Sequence, residues 1–486
     1  MLLLRKILFY LFFLIYLALC PLLVFYAFGY IFNPKNLKIV QTGLVYLSTI
    51  PPQASVYIGK SRYKEKTPVV LRELLPGAYS LNVYLKGYKP WSREIDVEAG
   101  KTLVFDSLLL IPEDWNKKAL SPDAFREFTA IPETHFFILA HGPHLKDYYV
   151  YNHKEETFFA LMDQESALAD ARVIEKFTTK ASSNVLFCVE WQGNRKYLWI
   201  ELKEKIAKRY DLTTLFPQEP MYIEWDETDT RYIFALGKEH LNRIDAVSMA
   251  IFPKYIENVR GFGIFNKQMY FLAKSDTALL RLNYDKTNKE PPVSDIISEN
   301  SFFEGKDIIR IKVFAKNILA LWSKRGDFLV RMPAYTFFER NVAGVEFDKE
   351  HKKLLFWKRD KIGVLDFSEE LEGSPIRPQR PKVVWLYTKG EDVLECFWVF
   401  KGSYVLLHDK SGVYLLEAPS ERESALTFVT KTKRNTPVYY GEASGCLYYL
   451  DAETSRLQSL EIIPKSHLLS MPFTLEARDD SKKSEK

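Results

Sequence analysis

Four histidines that lie close together in the sequence are the first residues that could do chemistry. They are His135, His141, His144 and His153. Imidazole nitrogens bind zinc, but zinc sites usually carry a fixed spacing such as His-Glu-x-x-His or a Cys-x-x-Cys pair, and the chain has neither. We therefore expect no metal and no other cofactor at these histidines.

An acidic turn is the second candidate, formed by Glu224, Asp226, Glu227 and Asp229. Carboxylates can hold a cation or serve a hydrolase when they are kept at a set separation. We interpret this stretch instead as a solvated β-turn that follows a strand ending at Trp225. The chain also lacks a Gly-x-Ser-x-Gly elbow, a Walker loop and a Gly-x-Gly-x-x-Gly opening a helix, so no motif supports an enzyme.

The cysteines are not expected to form a reactive site. Cys188, Cys396 and Cys446 are far apart and lie in strand-like runs, and Cys20 lies in the apolar N-terminus. We expect the first three to be small buried hydrophobic residues, with one long-range disulfide as the alternative.

An uncharged N-terminal stretch from Ile7 to Phe32 is predicted to be a transmembrane helix, since about 20 apolar residues cross a bilayer. Residues 1–6 are a short tail that contains Arg5 and Lys6. A cleaved signal peptide would have a shorter apolar core and a small-x-small site. The pattern predicts a signal anchor in the inner membrane, crossing once, with the C-terminal portion outside the cytoplasm.

Length and composition predict several folded units built from strands. A chain of 486 residues exceeds the size of one hydrophobic core, and 28 Tyr and 34 Phe favour pleated, half-buried surfaces. The soluble portion is therefore expected to be all-β. A net charge of only +5 argues against nucleic acid as a partner.

Residues 43–112 alternate apolar and polar side chains in short runs separated by proline and glycine, which predicts a small antiparallel β domain. Its basic segment from Gly59 to Lys66 is predicted to be a solvated hairpin loop. The more specific alternative is that this loop contacts acidic wall polymer or lipid headgroups.

The same residues resemble the PEGA domain, a β-sandwich module of bacterial surface and membrane-linked proteins. The landmarks are Pro51, Pro52, Gln53 and Ala54 at the family's Pro-Glu-Gly-Ala signature, Gly59 at the next turn, then Thr67 and Pro68, Pro76 and Gly77, and Gly87 and Tyr88. Pro52 and Gln53 depart from the signature. The resemblance implies an exported, non-catalytic spacer or adhesion module, with these residues in structural roles.

The rest of the chain repeats an aromatic-rich strand, a polar turn and a second strand. The repeats start at Phe136, Asn184, Tyr222, Phe262, Ile311, Val345, Cys396 and Val438. The last seven starts are about 42 residues apart, as expected for four-stranded propeller blades. Residues 125–465 are therefore predicted to form a β-propeller of seven or eight blades, similar to degenerate propellers behind PEGA domains. A pair of β-sandwich domains is the structural alternative.

Two loops and a tail complete this prediction. The proline-containing segments that begin at Lys286 and Glu369 are expected to project from a face of the propeller. Residues 477–486 are charged and are expected to be disordered.

Two functions from different classes remain open. The first is a non-catalytic envelope protein in which a PEGA-like spacer presents a propeller for protein or glycan binding. The second is an exported glycan-acting hydrolase or lyase with its site at the propeller channel. Two or more inward-facing carboxylates that converge in the channel would favour the enzyme.

Overall fold

The structure is a computed structural model of the 486-residue chain. It describes residues 2–33, 38–180, 182–203, 205–274, 278–283, 289–295, 309–315, 318–331, 336–348, 350, 352–367, 383–390, 392–400, 402–418 and 426–464. The predicted loop from Glu369 and the predicted tail at 477–486 lie outside these residues.

The N-terminal helix α1 extends from Leu2 to Ala27. Its segment Ile7–Ala27 is long and apolar enough to cross a membrane, although a signal sequence passes the same test of length and composition. The helix ends before the predicted Phe32 because Gly29 adopts a φ of +77°, which a right-handed helix does not allow. Strand β1 (Tyr30–Asn33) then pairs with β2 (Lys38–Gln41).

A small β domain follows and consists of two sheets packed face to face. The first sheet has the order β6-β3-β9, with β3 (Gly43–Ile50), β6 (Val69–Leu74) and β9 (Thr102–Leu109). The second has the order β5-β4-β7-β8, with β4 (Ser55–Ile58), β5 (Ser61–Lys66), β7 (Gly77–Tyr84) and β8 (Trp91–Val97). Alternate residues of both sheets, such as Val45 and Leu81, form one buried core.

Two details of this domain correct the sequence prediction. Strand β3 pairs with β9 in parallel, so the domain is not wholly antiparallel; the chain alternates between the two sheets and adds β9 to the first sheet last. The segment predicted as a hairpin loop contains β5, which pairs with β4. Its charged side chains are mostly exposed because β5 is an edge strand.

The described part of the second unit contains eight four-stranded sheets when its one eight-stranded sheet is divided in the middle. In seven of them, four consecutive strands form an antiparallel meander. The first three sheets consist of β11 (Glu127–Ala130), β12 (Phe136–Ala140), β13 (Tyr148–Asn152) and β14 (Thr157–Ala160); of β15 (Arg172–Thr178), β16 (Asn184–Trp191), β17 (Asn194–Lys203) and β18 (Ile206–Asp211); and of β19 (Tyr222–Trp225), β20 (Tyr232–Leu236), β21 (His240–Asp245) and β22 (Ala250–Glu257). The fourth and fifth sheets consist of β23 (Val259–Phe265), β24 (Gln268–Ala273), β25 (Ala278–Asn283) and β26 (Lys289–Asp295), and of β27 (Ile309–Ala315), β28 (Ile318–Ser323), β29 (Phe328–Arg331) and β30 (Thr336–Glu339). The sixth and seventh sheets consist of β31 (Gly344–Asp348), β32 (Lys353–Trp357), β33 (Ile362–Asp366) and β34 (Val383–Tyr387), and of β35 (Glu395–Val399), β36 (Tyr404–Asp409), β37 (Gly412–Glu417) and β38 (Leu426–Thr430).

The eighth sheet joins the two ends of this unit. Strand β10 (Lys117–Ala124) pairs with β41 (Arg456–Glu461), which continues through β40 (Cys446–Leu450) to β39 (Tyr439–Gly441). The first strands of the fourth and fifth sheets, β23 and β27, also pair in parallel through Gly261 and Phe262. First strands of neighbouring sheets therefore lie side by side.

Hydrophobic clusters of described residues pack seven of the eight pairs of neighbouring sheets against each other. Seven clusters each combine buried residues of two neighbouring sheets, for example Ile138 and Phe187, Trp199 and Trp225, Phe234 and Phe262, Leu272 and Leu319, Phe328 and Phe356, Leu355 and Leu407, and Leu450 and Phe128. The last of these packs the eighth sheet against the first. Between the seventh and eighth sheets, the Thr430 hydroxyl donates to the Tyr449 hydroxyl over 3.2 Å. The unit is an eight-bladed β-propeller, and the alternative of two sandwiches is wrong.

The sequence repeats identify all eight blades, but they do not all start at the same strand of the blade. Six starts fall on the first strand of a blade, whereas Phe136 and Asn184 begin second strands. The propeller also begins at Lys117, before the predicted residue 125, because β10 belongs to the last blade.

The predicted loop from Lys286 is partly a strand. Residues Lys289–Asp295 form β26, the outermost strand of its blade. Proline is compatible with an outer edge strand because one side of it has no ladder to complete.

Candidate functional site

The signature residues of the small β domain form a structural clasp around Thr67, which is fully buried. Its hydroxyl oxygen accepts a hydrogen bond from the Ala54 backbone N–H at 2.9 Å and lies 2.5 Å from the Thr49 hydroxyl. The Gln53 N–H donates to the Thr67 carbonyl, and Gln53 has a φ of +69°, a conformation that favours glycine. The Thr49 hydroxyl donates to the Pro51 carbonyl over 2.8 Å.

The other predicted motif residues serve turns and edges. Gly59 joins β4 to β5 with a φ of +57°, and Gly87 has a φ of +83°. The Tyr88 N–H donates to the Leu85 carbonyl across that second turn. The remaining motif residues are Pro52, Pro68, Pro76 and Gly77, which lie at strand ends. The motif residues thus lie in turns, at strand ends and in the buried hydrogen bonds of the domain.

The structure does not bring all four histidines together. His135 and His153 have ring centroids 5.2 Å apart, but His141 stacks on Phe125 and His144 lies beside Asp147. Within the described ranges, no group of three or more metal-ligating side chains occurs.

The side chains of the acidic turn mainly form contacts within the turn. One carboxylate oxygen of Asp226 accepts hydrogen bonds from the Thr228 N–H and hydroxyl, both at 2.8 Å, and Asp229 pairs with Arg231 at 3.0 Å. The prediction of a solvated turn is wrong for Asp226, which is fully buried. Hydrogen-bond donors within the turn take the place of water at its carboxylate.

Glu224 separates from that turn and faces the inside of the ring from strand β19. Burial raises the pKa of its carboxyl to about 8, although the nearby Lys312 ammonium acts in the opposite direction. One carboxylate oxygen is buried and has no hydrogen-bond partner among the residues that the structure describes. The carboxyl is therefore largely protonated at neutral pH.

Two more charged side chains join Glu224 in what we call the channel cluster, which consists of Glu224, Lys312 and Glu346. Burial raises the pKa of Glu346 to about 7, and a hydrogen bond from the Trp398 N–H at 2.8 Å partly offsets this. Partial desolvation and the nearby Lys180 lower the pKa of Lys312, whose side chain is still exposed in part. These residues come from the first strands β19, β27 and β31 and interact electrostatically, and a group of such perturbed side chains marks a candidate site.

The cysteines add no chemistry to this region. Cys188, Cys396 and Cys446 are buried in three different hydrophobic clusters and form no disulfide. Burial raises the pKa of the Cys396 thiol well above its usual value, so this thiol is not a reactive thiolate.

A cavity of about 860 Å³ opens on one face of the propeller. Its lining includes five basic side chains and one acidic one; the basic ones are Arg310, Lys324, Arg325, Lys358 and Arg359. We call it the basic cavity. Lys358 pairs with Glu339 at 2.9 Å, and the lining contains more basic than acidic side chains.

The order of strands within a blade explains why these residues meet. The start of a first strand, the turn between second and third strands, and the link to the next blade all lie on the same face of a meander. Arg310 begins β27, Lys324 and Arg325 form the β28–β29 turn, and Arg359 lies in the β32–β33 turn. Two neighbouring blades therefore supply the basic side chains.

Aromatic residues line the same cavity, and one of them also lines a second cavity. Tyr222 and Trp322 belong to the lining, and the Arg310 guanidinium lies 4.7 Å from the centroid of the Tyr222 ring. Tyr222 and Arg310 also line a second cavity of about 510 Å³, which includes Glu224. The basic cavity and the channel cluster are thus adjacent.

Sequence reasoning missed Lys312, Glu346 and the basic cavity. A signal for the first two was present: each is a charged residue between two buried or half-buried apolar ones, in Ile311-Lys312-Val313 and Val345-Glu346-Phe347. The first strand of the third blade has the same pattern around Glu224. The basic residues of the cavity lie in separate turns that only the ring brings together.

Comparison with known proteins assigns one part of the chain. Residues 42–109 match the family model of the PEGA domain. This segment is a PEGA domain. The strands from β3 to β9 cover the same residues, so the sequence-based assignment is confirmed. No curated protein matches the chain.

Solved structures similar to the chain include one described as a propeller. The Dos1 propeller has 10% identity and a TM-score of 0.45, over 72% of this chain and 95% of that chain. Hsv2 of Kluyveromyces lactis has 10% identity and a TM-score of 0.42, over 65% of this chain and 99% of that one. PorZ, a surface component of the type IX secretion system of Porphyromonas gingivalis, has 11% identity and a TM-score of 0.40, over 89% of this chain and 71% of its own. The propeller assignment rests on the sheet topology and not on these similarities.

Proposed function

We propose that the chain is a non-catalytic, membrane-anchored envelope protein. In this proposal α1 crosses the inner membrane once, the PEGA domain acts as a spacer, and the propeller binds a protein or a glycan outside the cytoplasm. The observation that carries it is the basic cavity on one face of a closed ring, because a rigid scaffold with loops converging at a concave surface is suited to recognition.

The N-terminal segment supports the anchoring part of this proposal. The 21 residues Ile7–Ala27 contain no charge and are largely exposed where their side chains are described, so their apolar surface needs a nonpolar environment. Arg5, just before this segment, favours a cytoplasmic N-terminus.

A capture experiment tests the recognition part. The full chain is purified from detergent-solubilised membranes of its own cells, and the bound proteins and glycans are identified. A matched variant has the β28–β29 and β32–β33 turns replaced by unrelated turns of equal length. We expect a partner that is lost with the variant although its propeller stays folded by circular dichroism; equal recovery from both would contradict the proposal.

The channel cluster favours an exported glycan-acting hydrolase or lyase as a second candidate. Glu224 and Glu346 are two carboxyls with pKa values of about 8 and about 7, which are suited to a proton donor and a proton acceptor near neutral pH. Lys312 lies near both and could stabilise negative charge on a substrate. Either carboxyl could exchange a proton with a sugar oxygen or with a carbon next to a sugar carboxylate.

This second candidate is tested by assaying acidic and neutral glycans for new reducing ends and for unsaturated products. Activity that Glu224→Gln and Glu346→Gln abolish, and that the exposed control Glu190→Gln retains, would establish the enzyme. Absence of turnover for every glycan that binds the full chain would rule it out.

A further inference from the structure

We infer that the basic cavity is a binding site for an acidic glycan, a polymer whose sugars bear phosphate or carboxylate groups. This inference rests on the proposed function and names the chemistry of its ligand. It concerns a site on the face of the propeller, outside the channel cluster.

The charge of the cavity is the first argument. Lys324 and Arg359 are exposed and have no carboxylate within hydrogen-bonding distance in the part of the chain that the structure describes. Arg310 is also exposed at the cavity wall. Cations held together in one concave surface repel one another, and an anionic ligand relieves that repulsion. Guanidinium groups further match the two oxygens of a phosphate or carboxylate.

The aromatic residues are the second argument and favour a glycan over an acidic peptide. Trp322 and Tyr222 belong to the same lining as the cations, and the Arg310 guanidinium covers one face of the Tyr222 ring. A sugar ring has an apolar C–H face that packs on an aromatic ring while its substituents make polar contacts. The combination of ring surface and cations therefore fits a sugar that carries an acidic group.

The geometry of the supporting turns is the third argument. The Ser323 hydroxyl accepts hydrogen bonds from the Arg325 and Asp327 N–H groups at 3.2 and 3.1 Å, which fixes the turn that carries Lys324. In the next blade, the Gly390 and Val393 N–H groups donate to the carbonyls of Asp360 and Arg359. Both turns are held before a ligand arrives, which reduces the entropy cost of binding.

The test measures binding of defined oligosaccharides to the full chain in detergent micelles by isothermal titration calorimetry. The probes are an oligogalacturonate for carboxylates, a phosphomannan oligosaccharide for phosphates, a neutral maltooligosaccharide, and poly-glutamate as an acidic peptide. The variant is Lys324→Ala with Arg359→Ala. The matched control is Lys154→Ala with Lys208→Ala, which removes two exposed lysines from outer turns and strands of other blades.

We expect at least one acidic oligosaccharide to bind and the neutral one not to bind, and the preferred acidic probe identifies the source of the charge. Each lost cation should weaken binding by roughly tenfold, so the double variant loses roughly a hundredfold, while the control keeps its affinity. Added salt should weaken the wild-type binding. Equal binding by variant and control, tighter binding of poly-glutamate than of either acidic glycan, or no binding of any acidic probe would overturn the inference.

This outcome is separable from failure of the proposed function. If the capture experiment recovers a partner equally with the wild type and with the Lys324→Ala, Arg359→Ala variant, this inference fails and the proposed recognition stands. If no partner depends on the propeller turns at all, the proposed function itself fails.

Discussion

Replacing Thr67 with valine tests the clasp that closes the PEGA signature. Valine keeps the shape of the side chain but removes its hydroxyl. The Thr49 hydroxyl has one proton, which it donates to the Pro51 carbonyl, so the proton between the two threonines comes from Thr67. The substitution therefore removes an acceptor from the Ala54 N–H and a donor from the Thr49 oxygen.

The expected loss follows from the burial of these groups. Thr67 and Ala54 are fully buried and Thr49 is nearly so, so water cannot replace the missing partner without rearrangement. A buried polar group left unpaired costs about 1–3 kcal/mol, and the two lost bonds together should cost about 2–4 kcal/mol. This is a large share of the stability expected for a domain of this size.

Hydrogen exchange of the full chain, followed by mass spectrometry, measures the loss of stability of the PEGA domain separately from the propeller. Amides of β3 and β6 that exchange through unfolding of the domain should exchange about thirtyfold to a thousandfold faster in Thr67→Val, since each 1.4 kcal/mol is tenfold. Propeller amides should not change. The control Thr102→Val alters an exposed threonine on β9 and should leave exchange unchanged. Unchanged exchange in Thr67→Val would refute the reasoning.

Three further predictions concern the propeller and the anchor. Because burial raises the pKa of Glu224 from 4.5 to about 8, the folded state binds this proton more tightly, and the free energy of unfolding should fall as pH rises through that range. Urea titrations should show a smaller fall in Glu224→Gln, and an identical fall would contradict the assignment. Gly263→Ala should destabilise the propeller by about 1–3 kcal/mol, since a Cβ there would lie 1.8 Å from the Ile311 carbonyl oxygen; thermal unfolding should show this loss, whereas Gly237→Ala, with its nearest neighbour at 3.4 Å, should have little effect. Deletion of residues 2–33 should move the protein from the membrane to the soluble fraction after alkaline extraction, and continued membrane association would count against α1 as the anchor.

The propeller could be predicted from sequence because each blade repeats the same burial. Two inner strands of a blade are covered on both faces, so they appear as aromatic and aliphatic runs such as Val185 to Val189. First strands differ more from blade to blade, which explains why the repeats at Phe136 and Asn184 were found one strand late. Strand β10 was missed because its pairing partner lies more than 300 residues away.

The PEGA domain could be recognised from turn residues, but part of its pairing could not. Proline and glycine mark where strands end, and they do not determine which strands become neighbours. The parallel pair β3 and β9 depends on the path through the second sheet. Strand β5 has few apolar residues because both faces of this edge are exposed, so its sequence resembles a loop.

The candidate site was the least predictable feature. Glu224 was a candidate in the sequence because it is close to an acidic turn, but the hydrogen bonds of that turn are formed by Asp226 and Thr228. Its partners Lys312 and Glu346 come from two other blades, and their pKa shifts arise from burial in the assembled ring. Charges brought together by long-range closure leave no spacing that a motif search can detect.

Protease accessibility of the propeller tests the central claim, a recognition domain tethered outside the cytoplasm, most directly. Intact and wall-stripped cells are treated with an external protease, and the propeller is followed with an antibody while a cytoplasmic protein serves as the control. We predict that the propeller is digested in wall-stripped cells, that a fragment containing α1 stays in the membrane, and that the cytoplasmic control stays intact. Protection of the propeller in both preparations, with digestion only after the membrane is opened, would contradict the account.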